Sequence, residues 1–526
     1  MRREKSDGPM VPKHRRKMET PSNRIGTGTT VSKQTRQLDL LGGTAASLVS
    51  SKGSRVDAEG AGRSRSSRTP MRPSKWGASS SAESEVLSAM TMEAVASDVN
   101  LLRAFERVAS NDGAPGVDRQ SVSEVAAHLD GVIVGLHRSL LDGSYQPGLV
   151  RRVWIPKSGG GQRGLGIPNV IDRIVQQAVH QVLSPHFEPT FHDGSHGFRP
   201  GRSCHTAIAL AREQMLNGAE YVVDLDLEKF FDRVNHDRLM ARLAARVDDK
   251  RVLKLIRRML TTGVVMPNGV VVATEEGAPQ GGPLSPLLSN IVLDELDWEL
   301  HRRGLSFVRY ADDVNIYVGS ERAGRRVMEG VVTFIEKRLR LKVNATKSAV
   351  AKPEDRHFLG FRLRHGADGD VEVLLSKRSL DRIDEKIREL VPRNFGHGLA
   401  ACIKRVNRYL VGWIGFFGIV SPSEMQVLQS RDAHVRRRLR ALQIRQWGRR
   451  RHIARNLHRL GVRKPVAFRE VYKGRRGPWA LSGLLTVNNA MRNVYFTVRG
   501  LVTIVDKWLS RTRPSPAPTQ LTLKLG

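Results

Sequence analysis

Two carboxylates stand side by side in Tyr310-Ala311-Asp312-Asp313, between the apolar runs Phe307-Val308 and Val314-Asn315-Ile316-Tyr317-Val318. The flanking β-branched and aromatic residues predict a hairpin over 306–318, with Ala311-Asp312 near its tip. Adjacent like charges in a hairpin are costly unless cations neutralise them, and Mg²⁺ is a cation that one or two carboxylates plus substrate phosphates can hold. In-line nucleotidyl transfer uses two such ions about 3.5–4 Å apart. That chemistry wants a third carboxylate from a neighbouring strand, and residues 220–227 supply it. Tyr221, Val223, Leu225 and Leu227 fall on one face of a predicted strand and Val222, Asp224 and Asp226 on the other, which puts Asp226 on the polar face. Standing alone, an Asp-Asp pair reads as an ordinary surface turn, so the rest of the chain has to decide.

The charge balance narrows the partner. A formal net charge of +34, from 86 Lys and Arg against 52 Asp and Glu, far exceeds what solubility requires and calls for a polyanion, with nucleic acid first. Charge alone does not separate an enzyme from a scaffold. The 526 residues, 40% apolar, suffice for two or three domains with cores. Only Cys204 and Cys402 occur, which excludes a disulfide framework and a thiol-based zinc site and fits a reducing cytoplasm. The apolar stretch 411–420 holds three glycines and is too short to cross a bilayer. The start of the chain lacks the apolar core of a secretion signal. No membrane role is expected.

Residues 1–82 are rich in Ser, Gly, Thr and Arg without helical or strand period and are expected to form a disordered basic tail; 17 Lys/Arg against 6 Asp/Glu over 1–80 could add non-specific RNA affinity. An upstream extension without function fits equally well. Order is expected from near Glu83, where Val86, Leu87, Met90, Leu101, Leu102, Phe105 and Val108 recur at helical spacing. A hairpin is predicted over 150–168, turning at Gly159-Gly160-Gly161. Helices are predicted over 237–260, where Val252, Leu255, Ile256 and Met259 share a face. The last third is helical and basic: residues 431–464 hold 13 Lys/Arg and one acid, Asp432. Two motifs bear on nucleotide handling. Lys157 and Arg163 flank the glycine turn, where a flexible hairpin can bring both cations onto a triphosphate, the bland reading being a solvated basic hairpin. Gly281 and Gly282 permit close backbone approach beside Gln280. His192, His196 and His205 read as ordinary loop side chains, because no acid or thiol spacing completes a ligand set.

From residue 85 to 510 the chain resembles the reverse transcriptases, and within them the group II intron class. The first palm motif of that family is similar to Val223-Asp224-Leu225-Asp226-Leu227-Glu228-Lys229-Phe230-Phe231-Asp232, and a later one to Tyr310-Ala311-Asp312-Asp313. Between them lies Ala278-Pro279-Gln280-Gly281-Gly282-Pro283-Leu284-Ser285-Pro286. After them come Leu341-Lys342-Val343-Asn344, Lys347-Ser348 and Phe358-Leu359-Gly360-Phe361. Gly113-Ala114-Pro115-Gly116-Val117-Asp118 and the run from Asp193-Gly194-Ser195-His196-Gly197-Phe198-Arg199-Pro200 to Ser203 resemble segments of the group II class. Tyr409-Leu410-Val411-Gly412-Trp413-Ile414-Gly415-Phe416-Phe417 resembles its maturase, or X, domain, the aromatic and glycine residues there being expected as helix-packing core.

The resemblance implies an α+β right-hand polymerase, with a ferredoxin-like palm sheet and a mainly helical thumb. Residues 83–370 would be fingers and palm with an N-terminal extension, 371–465 the maturase thumb, and 466–526, with Lys473-Gly474-Arg475-Arg476-Gly477-Pro478-Trp479, a short basic DNA- or RNA-binding segment. It implies an RNA-directed DNA polymerase that also promotes splicing and intron mobility. Asp226, the Leu227 carbonyl, Asp312 and Asp313 would hold two Mg²⁺, or Mn²⁺ in their place. Lys157, Arg163, Gln280 and Lys347 would meet the dNTP, although a lone Lys347 also reads as a solvated charge. Phe231 would sit under the sugar and exclude a 2′-hydroxyl, with Phe230 as core. Within the basic run, Arg436, Arg437, Arg438, Arg440, Arg449, Arg450 and Arg451 would touch RNA backbone. The implied partners are group II intron RNA, an RNA template with DNA primer, target DNA and dNTPs, in a bacterial cytoplasm beside the nucleoid. Members with a DNA endonuclease continue into a cysteine-paired HNH domain; with no cysteine beyond Cys402, second-strand cleavage is not expected. Two alternatives stand: a splicing scaffold with a dead polymerase, which the three Asp residues oppose, and a free-standing reverse transcriptase of phage defence or sequence diversification, which the X-like segment opposes.

Overall fold

The computed structural model describes residues 89–156, 161–392, 396–474 and 476–512. The tail expected over 1–82 and the hairpin tip that carries Lys157 lie outside them. Helices α1 (Met92–Ala96), α2 (Asp98–Asn111), α3 (Val122–Ala127) and α4 (Leu129–Leu141) lead in. Thr91, Ser97 and Ser121 start the first three by accepting an orphan backbone N–H. Leu101, Phe105 and Val108 are buried, as their spacing predicts. The hairpin β1 (Val150–Pro156) and β2 (Gln162–Ile167) follows, then α5 (Val170–Phe187) and α6 (Cys204–Leu216).

The next stretch builds one sheet. It runs β3 (Tyr221–Asp226), α7 (His236–Ala244), α8 (Lys250–Leu260), β4 (Val264–Val265), β5 (Val271–Val272), α9 (Ser285–Arg302), β6 (Ser306–Tyr310), β7 (Asp313–Val318), α10 (Glu321–Phe334) and β8 (Ala349–Ala351). The hairpin predicted over 306–318 is present with its tip at Ala311-Asp312, and α8 buries Val252, Leu255, Ile256 and Met259. Strands pair antiparallel in the order β6-β7-β3-β8. A second sheet has the order β2-β1-β4-β5, with β1 and β4 parallel.

The first sheet has a core on each face. Val223, Leu225, Val314 and Ile316 pack with α5, α7, α8 and α9. Val222, Val308, Tyr310 and Tyr317 pack with α6 and with the C-terminal elements. Each fully buried side chain of this kind contributes roughly 1.5–3 kcal/mol, so the strands are fixed from both sides and the polar groups are left at one end. Those C-terminal elements are β9 (Phe361–His365), β10 (Val371–Leu375), α11 (Lys377–Leu390), α12 (Leu399–Phe417), α13 (Met425–Trp447), α14 (Arg450–Arg459), α15 (Lys464–Tyr472), α16 (Pro478–Leu481), α17 (Leu485–Ala490), α18 (Asn493–Thr497) and α19 (Ile504–Thr512). Trp413 and Phe417 of α12 are core, as expected, whereas Gly412, expected with them, is exposed. The single acid of the basic run has a clear use: the Asp432 carboxylate accepts the backbone N–H groups of Ile504 and Val505 at 2.8 and 3.1 Å and so caps the start of α19.

Candidate functional site

Strand register brings the three carboxylates together. Asp226 ends β3 and lies directly opposite Asp313, which opens β7 and also faces Tyr310 of β6. Ala311 turns between the strands at φ +57°, a left-handed conformation, and places Asp312 at the tip. Burial, followed by repulsion from Asp312, Asp224 and Asp226, holds the Asp313 carboxyl well above the usual range. Asp312 is raised too, chiefly by burial, with Asp226 adding to the shift and the Arg163 and Lys347 charges opposing it.

Two of the neighbouring carboxylates are held by cations, and one buried oxygen is left without a partner. The Lys347 ammonium lies 3.1 and 3.4 Å from the two Asp226 oxygens. Asp224 is bound by the Arg356 guanidinium at 2.6 and 2.8 Å. The buried Asp312 Oδ1 accepts no hydrogen bond. An unpaired buried carboxylate oxygen costs roughly several kcal/mol, and a divalent cation would remove that cost. Leu227 adds an oxygen. Its neighbours bond the 342–344 segment, Glu228 N–H to the Lys342 carbonyl and Asn344 N–H to the Asp226 carbonyl, both at 2.8 Å. The alternation of an antiparallel pair therefore aims the Leu227 carbonyl to the β7 side. The donor set fits a hard cation, although among the described residues no three His, Cys, Asp or Glu side chains converge as a finished cage. The remaining positions of a Mg²⁺ ion are ordinarily filled by substrate oxygens and water.

The second wall of the site comes from 278–282. Arg163 Nε donates to Gln280 Oε1 at 2.8 Å, and Gly166 N–H donates to the Gln280 carbonyl at 2.8 Å. Gly281 has φ +126°, and a Cβ there would lie 2.5 Å from the Gly166 carbonyl oxygen; a Cβ on Gly282 would run into the Gln176 amide. Both glycines permit the close approach their sequence suggested. The Phe231 carbonyl accepts the Ala278 N–H at 2.7 Å. Phe231 is 7% exposed, and its ring packs edge-on against Phe230 at 5.1 Å. The histidines of the 192–205 segment go separate ways: His192 bonds His301, His196 bonds Thr206 and His205 bonds the Phe416 carbonyl.

The basic run divides by face. On α14, Ile453, Ala454 and Leu457 are buried while Arg451, Arg455 and Arg459, four residues apart, are exposed without an ion-pair partner among the described residues, as is Arg449 before them. Arg450 is half-buried and Arg436 likewise. Arg437 stacks 4.3 Å from the partly exposed Trp479 ring. Arg438 donates to the Arg388 and Val391 carbonyls. Arg440, expected with its neighbours on the RNA surface, is instead buried: Nε donates to the Met491 carbonyl at 3.0 Å, and burial with the nearby Arg436 charge pulls its pKa down to about 10. Sequence reasoning missed Arg309, Asp297, Asn290 and Ser195, which meet beneath the Ala311 turn. The available signal was a lone arginine inside the apolar strand Phe307-Val308-Arg309-Tyr310.

Residues 155–363 match the family described as reverse transcriptase (RNA-dependent DNA polymerase), and residues 380–461 match the group II intron, maturase-specific domain. Protein YkfC of Escherichia coli is 35% identical over 333 residues, covering 56% of this chain and 84% of that protein. The group II intron-encoded protein LtrA of Lactococcus lactis is 30% identical over 329 residues, 48% of this chain and 55% of LtrA, so the chain spans about half the length of that relative. An uncharacterized 91 kDa protein in the cob intron of Schizosaccharomyces pombe is 40% identical over 156 residues, 29% of this chain and 19% of that protein.

Proposed function

The chain belongs to the family of group II intron-encoded reverse transcriptases and maturases, and we propose that it copies RNA into DNA at the Asp226, Asp312 and Asp313 cluster while its basic helices hold intron RNA for splicing and mobility. One observation carries the reading: strands far apart in sequence bring three carboxylates into one half-buried cluster whose Asp312 Oδ1 is unpartnered. Counted from β3, the strand order is second, third, first, fourth, the order of a ferredoxin-like palm. The elements before and around it are then fingers, α11 to α14 the maturase thumb, and the chain from 466 onward the short basic segment that binds DNA or RNA.

Asp226, Asp312, Asp313 and the Leu227 carbonyl would hold two Mg²⁺, with Mn²⁺ as a substitute. When bound, these ions supply Lewis acidity for the attacking 3′-hydroxyl and the departing pyrophosphate. The protein's own groups do the rest. Gln280 aligns Arg163, and that guanidinium, with Lys157 of the same hairpin, grips the triphosphate as a charge-assisted donor. Lys347, which pairs with Asp226, would lie within reach of the triphosphate as a further cation. Phe231, held by Ala278 through its backbone, sets its ring where a ribose 2′-hydroxyl would lie and so selects dNTPs. Primer extension tests the whole reading: purified protein, an RNA template, a DNA primer, dNTPs and Mg²⁺ are expected to give full-length cDNA. No template-dependent product under any divalent metal would overturn it.

Intron RNA and target DNA would contact Arg437, Arg449, Arg451, Arg455 and Arg459 as backbone binders, with Trp479 offering a stacking face. Among the described residues no helix is long and apolar enough to cross a membrane, and the proposed setting is the bacterial cytoplasm beside the nucleoid. Each neutralised phosphate contributes roughly 0.7–0.9 to the slope of log K against log salt. Replacing Arg451, Arg455 and Arg459 together by Gln is therefore expected to lower that slope by about 2 in a filter-binding titration. An unchanged slope would remove α14 from the interface.

A further inference from the structure

We propose that Arg309 and the 192–199 loop form a buried bracket that sets the position of the Asp312-Asp313 turn, which makes Arg309 a positioning residue for nucleotide addition. The inference rests on the polymerase reading above. Arg309 and Asp297 both have fully buried side chains. A guanidinium has five N–H donors in a fixed plane, and here every one is used. Nε and Nη2 clamp the two Asp297 oxygens at 2.7 and 2.5 Å. Nη1 donates to Asn290 Oδ1 at 3.1 Å and to the Ala311 carbonyl at 3.0 Å, and Nη2 donates to Ser195 Oγ at 2.7 Å. The Ala311 carbonyl belongs to the left-handed residue that immediately precedes Asp312. A lysine, with one point charge and no fork, cannot satisfy these four partners at once.

The 192–199 loop closes the bracket from beneath. Arg309 N–H donates to the Gly194 carbonyl, and His196 N–H donates to the Arg309 carbonyl, both at 2.8 Å, so the loop runs beside β6 like a short added strand. A Cβ on Gly197 would collide with the Ala311 backbone nitrogen, so the loop backbone lies directly against the turn. Asn290 Nδ2 holds the Gly197 carbonyl at 2.9 Å. Arg199, paired with Glu188, donates to the His192 and Ser195 carbonyls and keeps the loop in shape. Among the described residues none of these side chains bonds to Asp226, Asp312 or Asp313. Carboxylates that repel one another push such a turn open, and a buried network in which every Arg309 donor is used opposes that movement.

Removing one member of a buried ion pair endangers the fold, whereas replacing both by apolar side chains is often tolerated. The test is therefore the double variant Arg309→Met with Asp297→Leu, alongside Arg309→Lys, Ser195→Ala and, as a control, Asp312→Asn. Wild-type extension with a dead Asp312→Asn confirms the polymerase reading; the opposite result in either would overturn that reading, separately from this one. The double variant is expected to fold with a somewhat lower melting temperature, because Asn290, Ser195 and the Ala311 carbonyl lose their donor, and to keep its KM for dNTP, because no nucleotide contact is changed. Its kcat is expected to fall about 10²-fold, the effect of a misplacement near 1 Å, with a several-fold higher Mg²⁺ requirement. A double variant with wild-type kcat and Mg²⁺ requirement would refute the bracket. So would a series in which kcat simply tracks melting temperature. Should the double variant fail to fold, Ser195→Ala decides: a lower kcat with a raised Mg²⁺ requirement at wild-type melting temperature supports the proposal, and unchanged values refute it.

Discussion

Asp312→Asn is expected to lower RNA-templated DNA synthesis by about 10³-fold or more, equivalent to roughly 4 kcal/mol of lost transition-state stabilisation, while the protein stays folded and bound to intron RNA. The substitution keeps volume and removes one charge from a cluster in which burial and Asp226 already raise the Asp312 carboxyl. A carboxyl whose pKa rises on folding destabilises the folded state at neutral pH, because its ionised form is the disfavoured one. Asn removes that cost, so thermal stability is expected to be equal or higher. What it cannot replace is the ionised oxygen that a hard cation requires. Splicing chemistry belongs to the RNA, and the surface proposed to bind it, Arg437 and Arg449 through Arg459, includes no carboxylate of the cluster. Primer extension and precursor splicing measured on one preparation separate the roles. Normal polymerisation would void the catalytic assignment. A folded variant that binds intron RNA without promoting splicing would void the separation of functions.

The strand and the turn that hold these carboxylates are local elements, and local pattern revealed them. The period-two strand at 221–226 and the turn at Ala311-Asp312 follow from neighbours within a few residues. The partners do not. Lys347 meets Asp226 across 121 residues of chain, and Arg309 meets Ser195 across 114. No periodicity announces such pairs. Arg440 marks a second limit. Leu428, Val435, Leu439 and Leu442 turn one face of α13 inward, and Arg440 borders that face closely enough to be buried with it. A run of arginines reads as one surface in sequence, while the helix deals its members to different sides. Asp432 was equally opaque, since its role as a cap depends on α19 returning from 72 residues away.

Gly281→Ala tests the other wall of the site. At φ +126° an L side chain is strained, and here the new Cβ would lie 2.5 Å from the Gly166 carbonyl oxygen, a backbone atom that cannot swing aside. The 278–282 segment must lift from β2. That movement breaks the bond from Gly166 N–H to the Gln280 carbonyl and withdraws the Gln280 side chain from Arg163. A charge-assisted hydrogen bond contributes roughly 1.5–3 kcal/mol, so an Arg163 that no longer points correctly is expected to raise KM for dNTP by about 10- to 100-fold. The carboxylates proposed to hold metal sit on β3, on β7 and in the turn before β7, away from this segment, so kcat should change less. Gly143→Ala supplies the control. That residue also has a left-handed φ, +74°, but open space where its Cβ would go. It carries the backbone strain, roughly 1–3 kcal/mol, without the collision, and is expected to lower the melting temperature while leaving KM unchanged. Equal KM in wild type and Gly281→Ala would show that the 278–282 segment does not shape the nucleotide site, and Arg163 would then need another role.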